Sequence, residues 1–316
     1  MPFEPRINPE AQKLQWKEKF VERYRKLTDW EEYVRVSTTF LPKAIRVNTI
    51  KTTVAQLNNR LEQDWWLKPI PWCPEGFLIQ HKQDRLDVGN TVQHALGHYY
   101  VQEAASMIPP VVLSPQPGDT VLDLCAAPGS KTSQMAQMMN NTGIIVANDI
   151  KGNRLAPLGL NLQRMGVMNC IITLMRGEAM TGAYDKILVD APCSGTGTIR
   201  KSLRTVDMWN PDMIKRLAAT QKKLLARAYT LLKPGGTLVY STCSTEPEED
   251  EEVISWFLDK NPDAQLQQIT LPLKRGQPVM EFNGTTYHKK VKDCLRLWPQ
   301  DNDTEGFFVA KILKSQ

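Results

Sequence analysis

The sequence predicts an α/β protein, a mainly parallel sheet preceded by a smaller α+β unit, with the division near residue 110 (1–110 and 111–316). Three observations carry this. From residue 119 short apolar runs at 121–124, 144–148, 170–174, 186–189 and 237–240 are mostly separated by helical segments, the alternation that builds parallel sheets. Ahead of them, residues 43–110 mix short strand candidates with turns. Two cysteines, Cys193 in Asp-Ala-Pro-Cys-Ser-Gly and Cys243 in Ser-Thr-Cys-Ser, each follow an apolar run, with room between them for one helix that would set the two strand ends side by side.

Taken in order, residues 10–27 read as an amphipathic helix, with Trp16, Phe20, Tyr24 and Leu27 on one stripe and a basic, solvated face opposite. A strand follows at 44–48, a helix near 54–62, and then the turn Pro69-Ile-Pro-Trp-Cys-Pro74. In the second unit the helix at 211–232 is the best marked. Asn210 suits its cap, Pro211 suits its first position, and Lys233-Pro-Gly-Gly236 stops it. Thr245 with Glu248 has the capping-box spacing, which predicts a helix starting immediately after Cys243. Residues 307–312 suit a final strand. Trp209 reads as an anchor for the 211–232 helix.

Bulk properties exclude some classes. The 316 residues are 41% hydrophobic and 23% charged, as in soluble globular proteins, and carry a formal charge of +5 that permits a polyanionic partner. No apolar run has membrane-spanning length, and the first twenty residues lack the hydrophobic segment of a signal peptide. Six cysteines and four histidines show no metal-like spacing, so a reducing, cytoplasmic setting without a metal is expected.

A ligand loop lies in Val121-Leu-Asp-Leu-Cys-Ala-Ala-Pro-Gly-Ser-Lys-Thr132, which reads as strand, small-residue loop, then helix. Small residues let a ligand approach the backbone, and a helix N-terminus favours negative groups. Neither GxGxxG nor GxxxxGK[ST] is present, which argues against NAD and ATP. A nucleoside-bearing cofactor at the strand ends still fits, with Asp149 closing the next strand where a carboxylate can bind ribose hydroxyls.

DLCAAPGSKT, DAPCSGTG and YSTCS, in this order and spacing, resemble the NOL1/NOP2/Sun family of S-adenosylmethionine-dependent RNA cytosine-5 methyltransferases. Arg46-Val-Asn-Thr49 and Tyr100-Val-Gln-Glu-Ala-Ala-Ser-Met107 extend the likeness over essentially the whole chain from residue 40. The length and the ending GFFVAKI are most similar to the short archaeal members that modify tRNA.

The resemblance implies a Rossmann-like class I methyltransferase fold with a seven-stranded sheet. It implies that Cys125, Ala126, Ala127, Pro128, Gly129, Ser130 and Lys131 hold the methionine part of the cofactor, Lys131 near its carboxylate. Asp149 would take the ribose with Arg154 close by, Glu178 is the nearest acid for the adenine side, and Asp190 would face both cofactor and base. Cytosine C5 is too weak a nucleophile to take a methyl group unaided. A thiolate adding at C6 activates it, a role that suits cysteine. By the same resemblance Cys243 is that nucleophile and Cys193 assists product release, with Asp190 also catalytic. Taken alone, Cys193 could instead be a packing thiol.

Arg46, Asn48, Arg200, Lys201 and Arg204 are the expected RNA contacts, on an unstacked cytosine and its flanking phosphates. The partner expected is tRNA, with the protein acting as a monomer. Ribosomal RNA is the alternative target, and a non-catalytic RNA-binding protein the rival from another class. The chain departs from its relatives near the end, where Asp301-Asn-Asp-Thr-Glu305 replaces a stretch that often carries histidine.

Overall fold

The computed structural model describes residues 2–316. A four-stranded antiparallel sheet is built from β1 (Ala44–Val47), β2 (Trp65–Ile70), β3 (Cys73–His81) and β4 (Tyr99–Val101), in the order β2-β3-β1-β4. The larger sheet begins with β5 (Thr120–Asp123), β6 (Ile144–Asp149), β7 (Cys170–Leu174), β8 (Tyr184–Asp190) and β9 (Leu232–Thr242). The strands β10 (Ala264–Gln267), β11 (Glu281–Phe282), β12 (Thr285–Thr286), β13 (Leu295–Leu297) and β14 (Phe307–Lys314) follow. β11 and β12 form a separate hairpin.

The order β10-β14-β9-β8-β5-β6-β7 reproduces the seven-stranded expectation. The strands β5 to β9 are mutually parallel, and β14 enters antiparallel to β9. An eighth strand, β13, pairs with Phe307–Val309 of β14, along the edge whose other half, Lys311–Lys314, takes β10. Apolar side chains of β5, β8, β9 and β14 pack against the helices Pro211–Leu231 and Glu251–Lys260 on one face, and against Ile108–Leu113 and Ser130–Met138 on the other.

Two helix expectations need correction. The 10–27 stretch is a short 3-10 turn, Pro9–Lys13, and then a helix only over Glu18–Tyr24. The apolar stripe itself holds: Phe20 and Tyr24 are fully buried and stack at 4.0 Å. Trp209 packs on Phe20 at 5.4 Å, donates its indole N–H to Glu246, and shares a buried cluster with Ile214 of the Pro211–Leu231 helix. The helix after Cys243 starts at Glu251, with no side-chain cap. The Thr245 hydroxyl is instead hydrogen-bonded with Tyr24 and Thr196, and Glu248 pairs with Arg23, so neither is available to cap. A capping box does form at Thr53–Gln56, on the helix Val54–Leu61.

Candidate active site

Adjacent parallel strands β8 and β9 are joined by the helix Pro211–Leu231, which returns the chain so that both strands end on the same edge. Cys193 lies three residues past Asp190, and Cys243 directly follows Thr242. Their sulfurs are 3.1 Å apart and unbonded. The hydrogen bond to Cys243 and then burial push the Cys193 thiol well above its ordinary value, so Cys193 keeps its proton beside its neighbour.

Beneath the thiols a single carboxylate clamps the residue after each. Glu249 accepts from the Ser194 backbone N–H at 2.9 Å, from both the Ser194 and Ser244 hydroxyls, and from Gln221 at 3.0 Å. Gly197 closes the arrangement by donating to the Cys243 carbonyl at 3.0 Å. A Cβ there would stand 2.1 Å from the Gly306 carbonyl oxygen, so only glycine fits. Nothing in the sequence pattern singles out Glu249. Its signal is one more acid in an acidic run, which reads as a solvated face.

Lys131, at the start of the helix Ser130–Met138, reaches Asp190 Oδ2 at 2.8 Å, while Ser241 donates to the other oxygen at 2.8 Å. Burial works to lower the Lys131 pKa, but the Asp190 carboxylate outweighs it and the net shift is upward. The ammonium also sits over the Phe307 ring at 5.6 Å. Lys131 therefore faces Asp190, with Cys243 also within its field.

At the end of β6, Asp149 is almost fully buried and accepts from the Ala127 and Lys151 backbone N–H groups. Arg154 lies where expected, 3.2 Å from Asp149. Cys125 is flanked by Asp123, Asp149 and Asp190. Burial and then those three charges raise its thiol, which stays protonated. Asp123, for which the sequence offers no separate signal, is buried, accepts from the Thr132 hydroxyl at 2.7 Å and has its other oxygen without a partner. Burial pushes Asp123 up to about 7. Glu178 is half-buried, with Arg176 at 3.9 Å.

The residues here fit a cationic, nucleoside-bearing cofactor. Three carboxylates surround the Cys125 to Gly129 loop, one with an unpartnered oxygen. Ile150 and Met175, just past the paired ends of β6 and β7, expose apolar side chains suited to a base. Among the described residues no cluster of His, Cys, Asp or Glu could hold a metal, and no helix is long and apolar enough to cross a membrane.

Three expected RNA contacts are corrected. Arg46 is wholly buried and donates to Gln102 Oε1 at 2.6 Å, the Ser130 carbonyl at 2.9 Å and the Ser133 hydroxyl at 2.9 Å, tying β1 to the cofactor-loop helix. Asn48 is buried against the Gly97 and Met165 carbonyls. Arg200 is buried, and its terminal nitrogens hold Thr39, Phe40, Asp303 and Thr304. None presents its side chain to a phosphate. Lys201 and Arg204 are exposed.

The departure near the chain end has its own electrostatics. The Glu305 backbone N–H donates to Glu103 Oε1 at 3.1 Å, with the Glu305 carboxyl buried and Glu103 half-buried beside it. Burial and then the Glu103 charge push Glu305 up to about 8. An unfolded glutamate titrates near ~4.3. Between those values the folded chain holds a proton that the unfolded chain has lost, so stability falls as pH rises through the window. Glu305→Gln is therefore expected to stabilise the protein at pH 8 by on the order of 1–2 kcal/mol, with the difference gone near pH 4. Denaturant midpoints across that range check it.

Residues 110–313 match the model of the 16S rRNA methyltransferase RsmB/F family, and residues 17–104 match the N-terminal domain of 16S rRNA methyltransferase RsmF. A tRNA (cytosine(49)-C(5))-methyltransferase from Pyrococcus abyssi is 45% identical over 94% of this chain and 96% of its own length. Ribosomal RNA small subunit methyltransferase F from Klebsiella pneumoniae is 40% identical over 90% of this chain, which spans only 60% of that protein. A solved methyltransferase homolog from Pyrococcus horikoshii superposes with a TM-score of 0.85 at 38% identity, covering 98% of this chain and 100% of its own.

Proposed function

The chain belongs to the RsmB/F family of RNA methyltransferases, and from that membership we propose that it methylates C5 of a cytosine in tRNA, acting as a cytoplasmic monomer. The observation that carries the chemistry is the pair of sulfurs 3.1 Å apart on neighbouring strand ends. The choice of tRNA is supported by the match that runs along nearly the full length of both chains, whereas the ribosomal RNA relatives are matched over about three fifths.

S-adenosylmethionine, when bound, supplies an electrophilic methyl group. Asp149 would hold its ribose, and the Cys125 to Gly129 loop its methionine end. The Cys243 thiolate adds to C6 of the flipped cytosine, and the electron pair displaced to C5 makes that carbon the nucleophile. Asp190, held by Lys131 and Ser241, would bind the N3/N4 edge and stabilise charge as the adduct forms. With Cys243 tied up as a thioether, Cys193 gives its proton to solvent, and once C5 is alkylated the C5 hydrogen leaves as a proton to the Cys193 thiolate. The C5–C6 double bond re-forms and the Cys243 thiolate departs. Residues 1–110 would then line the RNA side of the cleft, with Lys201 and Arg204 beside it on phosphates.

The test is nucleoside mass spectrometry of unmodified tRNA and ribosomal RNA transcripts after incubation with the protein and S-adenosylmethionine. New 5-methylcytidine confined to tRNA is expected, and position 49 is the first to map. Signal confined to ribosomal RNA would keep the chemistry and overturn the target.

A further inference from the structure

Away from the thiols, a cavity of about 600 Å³ opens between the N-terminal segment, the loop before β1, the end of β3 and the stretch that follows Cys193. Ile7, Phe40 and Leu86 line it with side chains 47–68% exposed, an unusual cluster of large apolar groups left to solvent. Five cationic side chains against three carboxylates also line it. Two of the cations, Lys43 and Lys201, are exposed and make no hydrogen bond or ion pair from Nζ among the described residues. Volume, apolar walls and a few placed charges are what a small-ligand site needs.

Position ties this cavity to the reaction. Lys201 lies eight residues after Cys193 on the same segment, so chain length alone keeps it within about 28 Å of that thiol. Arg200, which lines the cavity, bonds to Phe40 and Asp303 and so ties two of the cavity's lining segments to the Cys193 segment. Its buried Nε has no partner among the described residues.

We propose that the cavity is a second RNA subsite, which takes one unstacked nucleotide of the strand that presents the target cytosine. The base lies against Phe40, and the phosphate is held by Lys43 and Lys201. This rests on the RNA methyltransferase reading above. An aromatic face accepts any base, and two exposed cations among its lining favour a polyanion over a neutral metabolite.

The experiment measures the Kd of an unmodified tRNA transcript over a salt series for the wild type, Phe40→Ala and the double variant Lys43→Gln/Lys201→Gln. Thermal midpoint and S-adenosylmethionine affinity are recorded as controls of folding. Phe40→Ala is expected to weaken tRNA binding about tenfold. The double variant should flatten the slope of log K against log salt by about two, one for each lysine withdrawn from a phosphate. Wild-type Kd and slope in both would overturn the subsite. Should Phe40→Ala fail to fold, Lys43→Gln alone decides, since Lys43 is exposed and has no phosphate role outside the subsite. A wild-type protein that methylates no RNA overturns the parent reading, whereas intact methylation with unchanged binding in the variants overturns the subsite only.

Discussion

Cys243→Ala is expected to reduce methyl transfer by roughly 10⁴- to 10⁶-fold, the scale of losing a covalent nucleophile, while S-adenosylmethionine still binds. Cys193→Ala should behave differently. With the nucleophile intact and the group that takes the C5 proton gone, the cytosine is methylated and the enzyme cannot let go. A protein–RNA adduct should then persist on a denaturing gel. The two outcomes follow from the proposed roles: Cys243 would carry the bond to C6, and Cys193, its neighbour at 3.1 Å, would lose its proton once the adduct forms and then act as base. Were Cys193 the nucleophile, the adduct would accumulate in Cys243→Ala, and the assignment would be reversed.

The largest effect on stability is expected at Arg296. Its guanidinium is buried and donates to Glu251 Oε1 at 2.6 Å, again to Glu251 Oε2, to Asp250 Oδ2 at 3.2 Å and to the Thr245 carbonyl at 3.0 Å. Asp250 in turn accepts from the Thr242 hydroxyl at 2.6 Å, one residue before the Cys243 thiol. Arg296→Met fills most of the volume but leaves two buried carboxylates without a counter-charge, a loss of about 3–5 kcal/mol. Denaturant unfolding at pH 7 measures it. Burial already holds Asp250 above the ordinary aspartate range, and without Arg296 its pKa rises further. A carboxyl with a raised folded pKa binds a proton the unfolded state lacks, so the deficit of the variant should shrink as pH falls through that value.

Arg296 also shows where a sequence stops being legible. The strand and helix alternation is readable because β5, β6, β8 and β9 bury apolar side chains on both faces of the sheet, and a continuous apolar run records that. The two thiols are readable as neighbours because parallel strands joined by one helix end on the same edge. Buried charge leaves no such trace. Arg46, Arg200 and Arg296 have the composition of surface residues, and only the fold shows that each is enclosed and bonded on several sides. The same holds for Glu249, Asp250 and Glu251, an acidic run that turns inward. The helix expected after Cys243 failed for a related reason, since Thr245 and Glu248 found partners distant in sequence. Local spacing cannot weigh those.

The place of β14 has a consequence for synthesis. Until residues 307–313 exist, β9 ends the sheet as an open edge, and the strand that delivers Cys243 has only one neighbour. Gly306 likewise reaches the Gly197 carbonyl, and Phe307 covers Lys131, only after the chain has run that far. A ribosome that has produced both thiols and the whole cofactor loop therefore still carries an unassembled enzyme.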